Sequence, residues 1–378
     1  MEVRGLRGLF SKSKEKAQPQ PPDPPPPAPL EPLPPTGDDL WKERHEEFVR
    51  ASNPCRLEIA KRLVYEPRIP SSNAAFHLLK YTWDYYGPSQ ETSILARRVI
   101  HRLTSRKHAA KLDELKLLRA SILAESATFG EAFRIVTDVL ENRDELWICQ
   151  NSSMALITAM WHHGLLKSKA AETVAQAMAK VSSTVGRFEE MVSGPNSICV
   201  VGNSPKEIGK GNGRAIDDHD IVIRFNNFST DFDYVADYGR KTNIWVKAGG
   251  YSDIWRRPSR KFDLIVFSGP DRRYHALRGG ADLVDLVDEG GVADFIPARV
   301  YSDASISINH PPSAGILVLH WLRLLRGPLK DAGVSLFGFG FTDQANNESK
   351  QYFSNVSSKA TYPHNWEAEE RHFREFIL

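Results

Sequence analysis

Little in this chain of 378 residues is extreme, and its shortages exclude whole classes. Only 3 cysteines are present, Cys55, Cys149 and Cys199. They are too few and too scattered for a disulfide framework or a Cys-rich zinc site, and such poverty is expected of a reducing compartment. No run of about 18 apolar residues exists, so no membrane-spanning helix is expected. The first residues also lack the apolar core of a signal peptide. Charge of one sign is missing too: 49 Lys and Arg against 47 Asp and Glu leave +2, which gives no reason to expect nucleic acid. A hydrophobic share of 41% and a charged share of 25% are ordinary for a globular chain, and the length suffices for about two domains plus tails.

Three regions follow from composition and period. Residues 1–39 form a tail. Its 17–38 stretch is Pro-rich, including Pro24 to Pro27, and is expected to be an extended spacer. Ahead of it, Arg4, Arg7, Lys12, Lys14 and Lys16 stand against Glu2 and Glu15, while Val3, Leu6, Leu9 and Phe10 fit one helical face. A disordered basic tail is the default reading and a weak peripheral membrane contact the alternative. Residues 40–190 read as helical: Leu115, Leu118, Ile122 and Leu123 recur at helical spacing, as do Phe133, Val136 and Leu140. Leu118–Leu140 and Ala155–Met178 resemble two degenerate helix–turn–helix repeats. A plain bundle stays open, as does a role in binding a partner protein or an acceptor.

Residues 191–378 alternate strand and helix. Strands are expected at 197–202, 220–226, 243–248, 263–268, 295–301 and 334–339, and helices at 275–288, 312–326 and 366–376. This alternation predicts an α/β fold with a mostly parallel sheet covered on both faces. The densest signal is the run Ser197-Ile-Cys-Val-Val-Gly-Asn-Ser204. It continues through Gly211-Asn-Gly-Arg-Ala-Ile-Asp217 and Asp220-Ile-Val-Ile-Arg-Phe-Asn226. A buried strand enters a small polar turn at Gly202, where the backbone can approach a ligand. Asn203, Ser204 and Asn226 then offer donors and acceptors at the carboxyl ends of two strands, where open α/β sheets bind nucleotides. The isolated alternative is turn asparagines bonded to their own backbone. Neither common phosphate motif fits. A P-loop would need glycine where Glu207 stands and Ser or Thr where Gly211 stands, and a dinucleotide fingerprint from Gly209 meets Arg214.

These segments resemble the sialyltransferases, glycosyltransferase family 29. Cys199–Ser204, Gly211–Asp217, Asp220–Asn226 and Gly239-Arg-Lys-Thr242 match the family's large motif. Pro312-Ser-Ala-Gly315 with Val334-Ser-Leu-Phe-Gly-Phe-Gly340 match the small one, and His364 with Glu369 match the very small one. The resemblance implies a Rossmann-like GT-A-type fold in its sialyltransferase variant and a CMP-sugar donor. The sugar would be sialic acid or a related ulosonic acid such as Kdo, passed to a glycan or glycolipid acceptor with inversion. It gives Asn203 and Asn226 to CMP, beside Gly202 and Ser204 of the same turn, and Ser313, Ala314 and Gly315 to the cytidine end, where Ser313 also suits a helix N-cap. A neutral-range imidazole suits proton removal from the acceptor hydroxyl, so His364 is the expected base, and Glu369 its positioning partner. Tyr352 stands nearest to the family's third motif, which assists the leaving phosphate, but no His precedes it. Lys350 and His310 are the substitutes.

Two departures agree with each other. Asp331 stands near where the family places a second cysteine for Cys199, and no anchor precedes the fold; both suit a cytoplasmic, bacterial-like protein at or near the inner membrane. The resemblance implies no metal. Two alternatives remain. Asp231-Phe-Asp233 or Asp218-His-Asp220 could serve a metal-dependent transferase using a nucleoside diphosphate sugar. The chain could also be a non-catalytic helical-repeat scaffold with a degenerate nucleotide fold.

Overall fold

A computed structural model describes residues 87–104, 109–248, 257–269, 277–340, 352–353 and 365–378, with short pieces at 76, 79–80, 82–83, 348–349 and 358–359. The tail 1–39, Cys55, Lys350 and His364 lie outside the described residues. Helices precede the first strand; among the described residues they include α1 (Gln90–Thr104), α2 (Ala109–Glu125), α3 (Phe129–Leu140), α4 (Glu145–Asn151), α5 (Met154–His162), α6 (Lys169–Ser182) and α7 (Arg187–Val192). Ser153 and Ser168 start α5 and α6 by accepting the Leu156 and Ala171 amides, as N-cap serines do.

Strand and helix then alternate: β1 (Ile198–Val201), α8 (Gly213–Asp217), β2 (Ile221–Phe225), α9 (Phe232–Tyr238), β3 (Ile244–Ala248), β4 (Leu264–Ser268), α10 (Leu277–Asp288), β5 (Ala293–Phe295), α11 (Ala298–Ile308), α12 (Ala314–Arg326) and β6 (Val334–Phe337). A two-residue antiparallel pair, β7 (Glu348–Ser349) with β8 (Ser358–Lys359), follows. Helix α13 (Trp366–His372) runs into a π turn, Phe373–Ile377. The six main strands are all parallel, in the order β5-β4-β3-β2-β1-β6. The order runs one way from β1 to β5 and reverses once, between β1 and β6. Ligands of open parallel sheets bind at such a reversal, beyond the carboxyl ends of the strands.

Both sheet faces are covered, as continuous apolar strands require. Ile198, Val200, Ile223, Val246 and Val266 pack with Val300, Ala304, Ile316 and Leu319 of α11 and α12. On the other face Cys199, Val201 and Val222 meet Ile216 and Tyr238. Trp245, Ile265 and Phe267 share one core with Leu283 of α10 and with Leu117, Val136, Ile157 and Val174 of the preceding helices. Helices α2, α3, α5 and α6 thus share a core with the sheet. Arg326 fastens the junction by donating to the carbonyls of Val192, Gly194, Asn196 and Ala332.

One expected strand is a helix. Residues 295–301 read as extended because Phe295, Ile296, Val300 and Tyr301 crowd together. The strand ends at Phe295, and Pro297 opens α11, which buries Val300, Tyr301, Ala304 and Ile308 on one face. That spacing of three to four is a helical period, hidden by β-favouring residue types.

Candidate functional site

The reversal between β1 and β6 is built from backbone in contact with backbone. Gly202 leaves β1 and Gly338 leaves β6. A Cβ on Gly202 would stand 2.4 Å from the Gly338 carbonyl oxygen, and Gly338 takes φ +68°. Only glycine fits both requirements. The Gly202 amide donates to Phe337 O at 2.8 Å and the Ser204 amide to Gly338 O at 2.9 Å. A Cβ on Gly340 would press to 2.3 Å from Ser204 Oγ.

Phe339 joins the motif segments. Its ring lies 3.5 Å from the Cβ position of Gly202 and 3.3 Å from that of Gly315, and it meets Phe225 edge-on at 6.4 Å. Asn203 Nδ2 donates to Phe225 O at 3.2 Å, which sets Asn203 beside Asn226. Asn203 Oδ1 is buried and has no hydrogen-bond partner. An orphaned buried acceptor is costly, and a ribose hydroxyl or a cytosine amino group would satisfy it. Asn226 holds φ +50°, a conformation asparagine tolerates better than most residues. Its Oδ1 accepts the Ala248 amide at 2.9 Å and its carbonyl accepts Trp245 Nε1 at 2.8 Å. Part of this side chain therefore shapes the end of β3.

Ser313 caps α12 by accepting the Ile316 amide. It also binds Glu369 twice, its amide donating to Oε1 and its hydroxyl to Oε2, both at 2.7 Å. Ala314 and Gly315, half-buried, follow as the first turn of α12. Glu369 is fully buried on α13, and burial raises its carboxyl to about 7 against the opposing pull of the two Ser313 bonds. A second contact joins the same helices. His320 Nδ1 of α12 and His372 Nε2 of α13 lie 3.0 Å apart, and both rings stack on Phe376. Burial lowers His320 and, most strongly, His372, to about 4, so both are neutral near pH 7. Asn365 caps α13 through the Ala368 amide at 3.1 Å. His364, outside the described residues, immediately precedes this cap.

The raised carboxyl of Glu369 has a sign that can be measured. Its folded value of about 7 exceeds the ordinary 4.5. The folded state therefore holds the proton more tightly, and stability from this group, complete below 4.5, is lost as pH rises to about 7. The histidines act oppositely, losing stability as pH falls from about 6.5 towards 4. Comparison with Glu369→Gln cancels them. The wild-type melting temperature minus that of the variant is expected to fall between pH 5 and pH 8. A difference constant with pH would refute the buried carboxyl.

Tyr352 does not present a free hydroxyl. It is 5% exposed, donates to Ser229 O at 2.6 Å and accepts the Ser229 amide at 2.9 Å. The glycine-rich loop is also occupied from within: the Gly209 and Gly211 amides donate to Asp237 at 2.7 and 2.8 Å, and these bonds lower the Asp237 carboxyl. Asp217 likewise accepts the Arg240 and Lys241 amides. Glu207 accepts the Gly338 amide at 3.2 Å and Asn212 Nδ2 at 2.8 Å. Phe339, Glu207 and Asp237 were not singled out from sequence; the Gly-Phe-Gly run after β6 was the available sign.

Of the Asp-x-Asp pairs, Asp218 and Asp220 precede β2, at the amino end of the sheet, where Asp220 Oδ2 binds Ser197 through amide and hydroxyl at 2.8 Å. Asp231, before α9, accepts the Ser229 hydroxyl at 2.6 Å. Among the described residues no group of three His, Cys, Asp or Glu is placed to hold a metal. Cys199 is buried and free, its thiol pushed up to about 12 by burial. No helix among the described residues is long and apolar enough to cross a membrane.

Residues 147–259 match the family model described as Glycosyltransferase family 29 (sialyltransferase). Two solved structures are similar at 19% identity. One is a mammalian sialyltransferase, covering 52% of this chain and 72% of that chain with a TM-score of 0.36. The other is a mammalian sialyltransferase in complex with Gal-beta-1-3GalNAc-ortho-nitrophenol, covering 57% and 79% with a TM-score of 0.35. No curated protein matches the chain. The family match spans β1, the turn at Gly202 and β2, so this part of the chain is similar to the sialyltransferases of glycosyltransferase family 29.

Proposed function

We propose that the chain transfers an acidic sugar from a CMP donor, sialic acid or a related ulosonic acid such as Kdo, onto a glycan or glycolipid hydroxyl with inversion. The observation that carries this reading is the partnerless buried Oδ1 of Asn203 at the β1/β6 reversal. Around it Gly202 and the start of α12 meet Phe339, Ser204 lies against Gly340, and Asn226 follows Phe225, whose ring meets Phe339. A crevice of amides, asparagines and a helix-capping serine suits a nucleoside monophosphate, whose single phosphate needs little neutralisation. The sheet order serves a GT-A-like use of the fold, with donor at the strand ends and acceptor loops above.

In the reaction the bond between the anomeric carbon and the CMP phosphate breaks, and the phosphate oxygen keeps the electron pair. The acceptor oxygen forms the new bond from the opposite face, and its proton passes to His364. Glu369 positions rather than reacts: it fixes Ser313 by two bonds and sits one turn into α13, the helix that follows His364 in sequence. The Tyr352 hydroxyl is engaged by Ser229, which leaves His310, two residues before the Pro312–Gly315 turn, as the better candidate beside the phosphate.

Melting of the purified chain against CMP, CDP, UDP, GDP and NAD, with and without EDTA, tests this. A ligand at 100 times its Kd adds about 2.7 kcal/mol. CMP or CDP is expected to raise the melting temperature above the others, unchanged by EDTA. A shift that requires UDP or GDP with a divalent ion would overturn the proposal in favour of the metal-dependent reading through Asp231 and Asp233. No shift with any nucleotide would favour a scaffold.

A further inference from the structure

Behind the crevice two tyrosines from distant parts of the chain lie face to face. Tyr238, the last residue of α9, and Tyr352 stack at 3.8 Å between centroids and 11° between planes. Tyr234 and Phe353 close the sides edge-on. Tyr238 is fully buried. The stack ends in polar atoms, and each one reaches backbone. The Tyr238 hydroxyl donates to Ser204 O at 2.6 Å and accepts the Glu207 amide at 3.2 Å. The Tyr352 amide donates to Asn203 O at 3.0 Å. The Tyr352 hydroxyl accepts the Ser229 amide and donates to its carbonyl. Buried Arg224 adds a bond to Tyr238 O and another to Lys241 O.

We propose that the Tyr238–Tyr352 pair is a positioning clamp that sets the spacing between the β1 turn, bearing Asn203 and Ser204, and the β2 turn, bearing Asn226, and thereby tunes affinity for the donor nucleotide. The pair touches both turns through backbone atoms only, so neither ring has to meet the ligand to act on it. Asn203 and Asn226 lie at the ends of adjacent strands, and each is flanked by a residue the clamp holds: Ser204 on one side, Ser229 three residues on at the other. A hydroxyl that bridges the amide and carbonyl of a single residue fixes that residue's peptide planes, which aromatic packing alone does not. This deepens the CMP-donor reading and rests on it. It also departs from a role for Tyr352 at the leaving phosphate, because its proton is already given to Ser229.

The test uses Tyr352→Phe and Tyr238→Phe, which keep the ring stack and remove only the hydroxyls, with Asn203→Ala as a control. Binding of CMP is measured by calorimetry well below the melting temperature, and transfer from CMP-sialic acid by steady-state kinetics. Each Phe variant is expected to weaken CMP binding and raise the donor KM by about tenfold, the usual consequence of one lost hydrogen bond. Acceptor KM and kcat should stay within about twofold. A fall in kcat of a hundredfold or more with CMP binding unchanged would overturn the clamp and return Tyr352 to the phosphate. Unchanged donor KM and CMP affinity in both variants would overturn it as well. Asn203→Ala separates the two levels: if CMP binds that variant as tightly as wild type, the donor-site reading fails whatever the tyrosines do.

Discussion

Replacing His364 with alanine is expected to cut kcat by about two to four orders of magnitude, the range general-base catalysis contributes. CMP binding should be unaffected. The expectation rests on the helix that follows this residue in sequence. Asn365, the residue after His364 in sequence, caps α13. One turn further on, Glu369 holds Ser313 by two bonds at 2.7 Å, and Ser313 starts the helix that faces Phe339 and Gly202. Helix α13, which follows His364 in sequence, is thus tied through Glu369 to the start of α12 beside Phe339. The measurement is kcat and KM for wild type, His364→Ala and His364→Gln, with CMP affinity by calorimetry. A base predicts that both variants lose kcat and that the acidic limb of the wild-type profile of kcat against pH disappears. Equal kcat in wild type and alanine variant would remove His364 from the chemistry.

Two other features separate what sequence can show from what it hides. Strands β1 to β4 were legible because each is a mostly apolar, largely buried run, Ile198–Val201 and Ile221–Phe225 most plainly. The helices at 277–288 and 314–326 were legible by period, and the latter by its capping serine and its closing Gly327. Helix α11 was not, because Val300 and Tyr301 next to Phe295 and Ile296 imitate a strand, and only the burial of Ala304 and Ile308 discloses the helical face. The motif residues of the candidate site were legible as residue types. Their partners were not. Glu369 meets Ser313 across 56 positions, Tyr352 meets Ser229 across 123, and Gly209 meets Asp237 across 28. Local spacing contains no trace of such pairings. The loop around Gly209 and Gly211 shows the consequence: it resembles a ligand cradle, yet Asp237 takes two of its amides.

The buried pair Lys247–Asp282 carries the largest expected effect on stability. Lys247, on β3, is 1% exposed, and its Nζ lies 2.6 Å from Asp282 Oδ2 on α10. Trp245 and Phe267 stand 6.0 Å from the ammonium. A charge in such surroundings is tolerable only while its partner remains. Asp282→Ala is expected to cost about 3–5 kcal/mol by stranding the lysine, which for a fold of this size lowers the melting temperature by roughly 10 °C. The double variant Lys247→Met/Asp282→Leu removes both charges and keeps volume, so it should recover most of that loss. Unfolding by urea for Lys247→Met, Asp282→Leu and the double variant closes the cycle. If the double variant were as unstable as Asp282→Ala, the cost would lie in packing and not in charge. The pair also reaches the crevice. Lys247 precedes Ala248, whose amide binds Asn226 Oδ1 at 2.9 Å, and Lys247 Nζ contacts Ala248 O at 3.3 Å. A stranded lysine would shift the end of β3 away from Asn226, so Asp282→Ala should weaken CMP binding while the double variant restores it along with stability.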